Sequence, residues 1–123
     1  MITAKELTTF ETELAHFTGT EKYYRHPLNR HIHFTDGIKF LCEKLDCFWM
    51  MDIIVSVQSI PSIKKCGCGQ YWHLEVFHDK KAIITCTSNE VVLYRQDIQF
   101  TDFPLQEITV LCANGVICLL SED

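Results

Sequence analysis

Near the start of the chain apolar residues recur at helical spacing, with Leu7, Phe10, Leu14 and Phe17 on one face. Thr3-Ala4-Lys5-Glu6 fits a capping box, in which the Thr hydroxyl and the Glu carboxylate satisfy the first backbone donors of a helix. A first helix over residues 3–17 is expected, with Gly19 placed for a left-handed C-terminal cap. Residues 21–29 are rich in aromatic and basic side chains, and Pro27 holds His26 extended, so this stretch reads as an ordered loop. The period then changes to two. Ile32 and Phe34 point one way and His31, His33 and Thr35 the other, as a short half-buried strand requires.

Thr35 and Asp36 open a second helix, in which Ile38, Leu41, Cys42 and Leu45 share a face and which ends near Asp46. Residues 48–60 contain the strand-forming Ile53-Ile54-Val55. Asp52, Ser56 and Ser59 nevertheless fall at i, i+4 and i+7, which favours a buried helix with one polar stripe. Residues 61–70, with Pro61, Gly67, Gly69 and no apolar period, read as a mobile loop joining helices to sheet.

Beyond that point the segments 71–78, 82–87, 91–100, 107–113 and 116–120 are β-rich. Asn114-Gly115 is the clearest turn, since both residues tolerate the positive φ of a type I′ hairpin. Asp102-Phe103-Pro104-Leu105 reads as a one-turn corner capped by Asp102, with Pro104 unable to donate to a ladder. Short connections favour antiparallel neighbours. The expected fold is α+β: about three N-terminal helices packed on a C-terminal antiparallel meander sheet of about five strands. Residues 1–123 are read as a single domain of the commonest size.

Composition narrows the functional classes. The chain is 47% hydrophobic, enough to bury a core, and carries a formal net charge of −5. That balance argues against nucleic acid and anionic membrane as partners. The first residues lack a signal peptide's basic and apolar regions, and the apolar run 47–57 is short for a membrane span and contains Asp52. A cytoplasmic location is the expectation. Seven cysteines, an odd number scattered through apolar runs, read as reduced thiols acting as small hydrophobes.

The preferred binding surface is the set Tyr23, Tyr24, Arg25, His26, Arg30, His31 and His33, where bidentate Arg donors, stackable rings and imidazoles suit an acidic partner. Asp52 joins it as a carboxylate in an apolar segment, which must find a partner if buried; Arg25, His26 and Lys44 are the candidates. His31 and His33, with His26, have the residue types of a three-imidazole zinc site, although strand alternation already explains the first two as solvent-facing. Cys66-Gly67-Cys68 could hold a soft metal or cycle through a redox bond, but lacks the spacing and second pair of a zinc knuckle. No nucleophile elbow, phosphate loop, dinucleotide fingerprint or zincin helix is present, and no cofactor is expected.

Thr18-Gly19-Thr20-Glu21, Tyr23-Tyr24-Arg25-His26-Pro27-Leu28, Thr35-Asp36-Gly37 and Thr101-Asp102-Phe103-Pro104-Leu105 resemble blocks of an uncharacterised family found in bacterial, plasmid and phage genomes. The resemblance covers most of the chain and implies no activity, ligand or catalytic residue; the loop with Cys66-Gly67-Cys68 departs from its pattern. The leading reading is a small noncatalytic interaction or regulatory domain. It would use residues 23–33 or an exposed sheet edge, with a protein partner or a second copy as a homodimer. An enzyme or small-ligand binder, with Arg25, His26 and Asp52 converging in a pocket, is the second reading, and a metal or redox protein the third. The identity of any small molecule is not legible.

Overall fold

Capping chemistry sets where the helices begin. Thr3 Oγ1 accepts from the Glu6 amide to start α1 (Ala4–Leu14), and Thr35 Oγ1 accepts from the Ile38 amide to start α2 (Asp36–Leu45). The computed structural model describes residues 3–19, 22–64 and 69–122. Its first helix is shorter than periodicity suggested, ending at Ala15 in right-handed geometry rather than at Gly19. Then come β1 (Tyr23–His26), β2 (Asn29–Thr35), α2, α3 (Phe48–Ser56) and a helical turn, α4 (Pro61–Lys64). The strands β3 (Gln70–Val76), β4 (Ala82–Ser88), β5 (Val91–Ile98), β6 (Glu107–Ala113) and β7 (Val116–Leu119) follow, and a 3-10 turn spans Leu120–Glu122.

The architecture is α+β, but its sheet is neither five-stranded nor an antiparallel meander. Seven strands are ordered β1-β2-β7-β6-β3-β4-β5, and β2 runs parallel to β7 while the other pairs are antiparallel. The helices alternate with β1 and β2 instead of preceding every strand. Residues 23–26 are not loop. Pro27 and Leu28 form the turn of a hairpin in which Tyr24 faces Phe34 and Arg25 faces His33. A proline in the turn leaves no ladder bond unmade.

The first part of the expected loop 61–70 is also structured, since Pro61 sits at the first position of α4 and Ile63 is fully buried. Cys66 and Cys68 lie outside the described residues. At the 101–105 corner Thr101, not Asp102, supplies the turn bond, its Oγ1 accepting from the Phe103 amide at 3.1 Å.

Alternation along the strands assigns the two faces of the sheet. Ile32 and Phe34, Trp72 and Leu74, Ile84 and Cys86, Val110 and Cys112, and Ile117 and Leu119 are buried with Ile38, Leu41, Met50, Met51 and Ile54 of the helices. α3 ends at Ser56 rather than running to residue 60, so of the expected polar stripe it carries Asp52 and Ser56, both exposed, opposite the buried Ile54 and Val55, while Ser59 lies in the turn beyond it. The opposite face of the sheet carries Tyr71, His73, Arg95 and Asp97, and His73 Nδ1 lies 2.8 Å from Thr109 Oγ1 across the strand pair.

One part-buried polar cluster ties the turn after α3 to the sheet. Gln58 and Gln70 exchange amide hydrogen bonds at 3.0 and 3.1 Å, and Trp72 Nε1 donates to Gln70 Oε1 at 3.1 Å. With every donor matched, the burial of Trp72 costs no unsatisfied N–H. The β6–β7 turn has φ 52° at Asn114 and 76° at Gly115. A Cβ on Gly115 would also lie 2.9 Å from the His31 carbonyl, so the parallel β2–β7 pairing depends on glycine there.

Cys42, Cys47 and Cys112 are buried. Burial pushes the Cys112 thiol up to about 12, and the hydrogen bond with Cys47 together with burial raises Cys42. Both therefore stay protonated and unreactive at neutral pH. Iodoacetamide at about pH 8 is expected to leave Cys42 and Cys112 unmodified in the folded protein and to alkylate both in urea, read by peptide mass spectrometry. Alkylation of the folded protein at these positions would contradict that burial.

Candidate functional site

Strand geometry splits the sequence-derived cluster between the two faces of the sheet. Along β1, Tyr23 and Arg25 are exposed whereas Tyr24 and His26 turn inward. Along β2, His31 and His33 lie opposite the buried Ile32 and Phe34. Arg30 is a residue of β2 whose side chain lies outside the described set. Tyr23, Arg25, His31 and His33 thus share the helix-free surface, with Arg25 directly across from His33. Leu28, at the tip of the hairpin, is 74% exposed.

The inward residues have structural partners. The Tyr24 ring stacks on Phe34, centroids 5.6 Å apart, and Phe34 meets Phe48 edge-on. Lys39 Nζ lies 5.1 Å from the Tyr24 ring centroid and 3.0 Å from Glu43 Oε1, a hydrogen bond that raises the Lys39 pKa. His26 is 2% exposed. Its Nδ1 accepts from the Leu28 amide at 3.1 Å, and its Nε2 lies 3.0 Å from Asp52 Oδ1.

These two contacts assign the tautomer. An N–H aimed at Nδ1 requires the lone pair there, so Nε2 carries the proton and donates to the Asp52 carboxylate. A general base needs a free ring nitrogen facing a substrate, and both nitrogens of His26 are already engaged. The pair instead clamps the β1–β2 turn to α3. Asp52, 54% exposed, meets His26 alone of its three sequence candidates, and Arg25 points to the other side of the strand.

His26 is likewise committed away from His31 and His33, so the three imidazoles do not converge. Among the described residues no group of three His, Cys, Asp or Glu side chains is placed to hold a metal ion.

A concavity of about 780 Å³ opens elsewhere, between the start of α1, the end of α2, the β3–β4 turn and residues 100–106. Lys44, His78, Lys80 and Asp102 contribute polar groups and Phe77 and Phe100 apolar walls. Lys80 holds φ 67° and places Nζ 5.8 Å from the Phe100 ring centroid. The volume is in the small-ligand range. Lys44, a sequence candidate for pairing with Asp52, lies here instead, and residues 101–105 line the same concavity, whereas no sequence motif marked Lys80.

A second carboxylate was also invisible in the sequence. Glu122 Oε1 accepts from Thr35 Oγ1 at 2.7 Å and from the Leu119 amide at 2.9 Å, while Oε2 accepts from the Gly37 amide at 3.2 Å. The Thr35-Asp36-Gly37 block is therefore the receptor for a side chain from the last turn, at the electropositive start of α2. Among the described residues no helix is long and apolar enough to cross a membrane.

Comparison with curated proteins and with solved structures gives no match. A family model does match, from residue 8 to residue 123, and so takes in the hairpin, the Thr35-Asp36-Gly37 receptor with Glu122, and the 101–105 segment. The chain belongs to DUF6876, a family of unknown function.

Proposed function

We propose that this protein is a noncatalytic interaction domain whose β1–β2 hairpin binds an acidic segment of a partner protein. The observation that carries the reading is the hairpin's surface. Leu28 stands exposed at its tip, and Tyr23, Arg25, His31 and His33 share its helix-free face. Exposed apolar and aromatic groups beside an Arg are the composition of a protein-binding patch. On a protein of formal net charge −5, the exposed Arg25 guanidinium favours a carboxylate-bearing segment, and one cation gives little attraction for nucleic acid. Engagement of both His26 ring nitrogens speaks against a catalytic role at the same place.

The test uses fluorescein-labelled synthetic peptides that combine Glu or Asp with Leu or an aromatic residue, read by anisotropy. Arg25→Ala is expected to weaken the best peptide about tenfold, the worth of one charge-assisted hydrogen bond, and added salt should weaken the wild type. Lys80→Ala, in the distant concavity, should leave affinity unchanged. Equal affinity for wild type and Arg25→Ala would overturn the reading, as would stronger binding of a single-stranded oligonucleotide. Loss of binding in Lys80→Ala alone would move the site to the concavity.

A further inference from the structure

We infer that β5 is a self-complementary edge through which two copies of this chain pair antiparallel about Gln96. The inference does not depend on the hairpin, because β1 and β5 lie at opposite ends of the sheet. Among the described residues β5 has β4 as its one strand neighbour, so its outer row of amides and carbonyls has no ladder partner. Such edges recruit other strands unless charge or irregularity prevents it. A bulge is present. Cys86 faces Tyr94 while Thr87 faces Val92, which leaves Leu93 as the extra residue and residues 94–98 as a regular run.

The charges on that run are of opposite sign. Arg95 and Asp97 sit two apart on the helix-free face, their side chains 60% and 65% exposed and in contact at 3.4 Å. An exposed pair of this kind is worth little by itself, so exchanging it for a contact to a second copy costs little.

Symmetry then decides the register. When two identical edge strands pair antiparallel about a two-fold axis normal to the sheet, facing residues lie on the same face and are equally displaced from the axis. An axis at Arg95 sets two guanidinium groups against each other, and an axis at Asp97 does so with two carboxylates. An axis at Tyr94 would run the pairing into the bulge at Leu93 and leave Arg95 and Asp97 without charged partners. With the axis at Gln96, Arg95 of each copy faces Asp97 of the other, giving two opposite-charge cross-strand pairs and no like-charge pair. Tyr94 then faces Ile98 on the helix side, so the pairing uses the whole of the regular run 94–98 and stops before the bulge. The helices of both copies remain on one side, and the two seven-stranded sheets become continuous.

The experiment is sedimentation velocity over a dilution series of the wild type, Arg95→Asp, Asp97→Arg and the double exchange Arg95→Asp/Asp97→Arg. Circular dichroism checks that each variant is folded. The wild type should dimerise, and each single exchange should weaken association by about tenfold because it sets like charges opposite each other twice. The double exchange should restore the dimer. A wild type that stays monomeric throughout would overturn the inference. So would single variants that dimerise like the wild type, or a double exchange as weak as the single ones.

Discussion

His26→Ala is expected to destabilise the protein by about 2–4 kcal/mol, with the urea midpoint falling accordingly and the melting temperature dropping by about 10 °C. The substitution removes a buried ring from between the hairpin and α3 and leaves the Leu28 amide without its acceptor. Asp52→Asn, by contrast, keeps an oxygen in position to accept from Nε2 and should cost less than about 1 kcal/mol, because Asp52 is half exposed. The contrast separates structural from catalytic use of the pair. Catalytic groups are commonly held at the expense of stability, so their removal tends to be neutral or stabilising. A His26→Ala protein as stable as wild type would therefore overturn the clamp and reopen the Asp52–His26 pair as a reactive centre.

The same residue explains why β1 was not legible in the sequence, whereas the strand expected at residues 31–35 is most of β2. A strand is recognised by alternating hydropathy, and the inward positions of β1 are Tyr24 and His26, one amphipathic and one polar. His26 is buried because both ring nitrogens are hydrogen-bonded, a condition that depends on Asp52, twenty-six positions away. Pro27 adds to the ambiguity, because a proline that breaks a ladder and a proline that fits a two-residue turn look alike in one dimension.

The C-terminal strands were legible because each carries its own alternation and its own turn signal, Asn114-Gly115 above all. Their spatial order was not. The parallel pairing of β2 with β7 joins segments about eighty residues apart and leaves no local mark beyond a glycine already explained by the turn. Among the candidate residues, the residue types were readable and the split between faces was the decisive unknown. Alternation places Arg25 away from His26 only once β1 is known to be a strand.

The effect of Gly37→Ala is expected to change sign according to whether Glu122 is present. By helix propensity alone, Gly37→Ala should stabilise α2 by up to about 1 kcal/mol. A Cβ at Gly37, however, would lie 2.5 Å from Glu122 Oε1 and 2.6 Å from its Cδ. The glutamate is flexible, but its carboxylate accepts from Thr35, Gly37 and Leu119, so yielding space means giving up bonds that fasten the last turn to the start of α2. Gly37→Ala is therefore expected to cost about 1–2 kcal/mol, and Glu122→Ala about 2 kcal/mol through loss of the charged acceptor and its favourable place at the helix start. With Glu122→Ala already in place, the obstacle is gone and Gly37→Ala should become neutral or stabilising. A double-mutant cycle in urea would measure this as a coupling of about 2 kcal/mol, with the effect of Gly37→Ala reversing sign. Simple additivity of the two substitutions would mean that Glu122 is not what requires glycine at position 37. The observed coupling would instead identify the Thr35-Asp36-Gly37 block as a structural latch, and so remove it from the surfaces available to a partner.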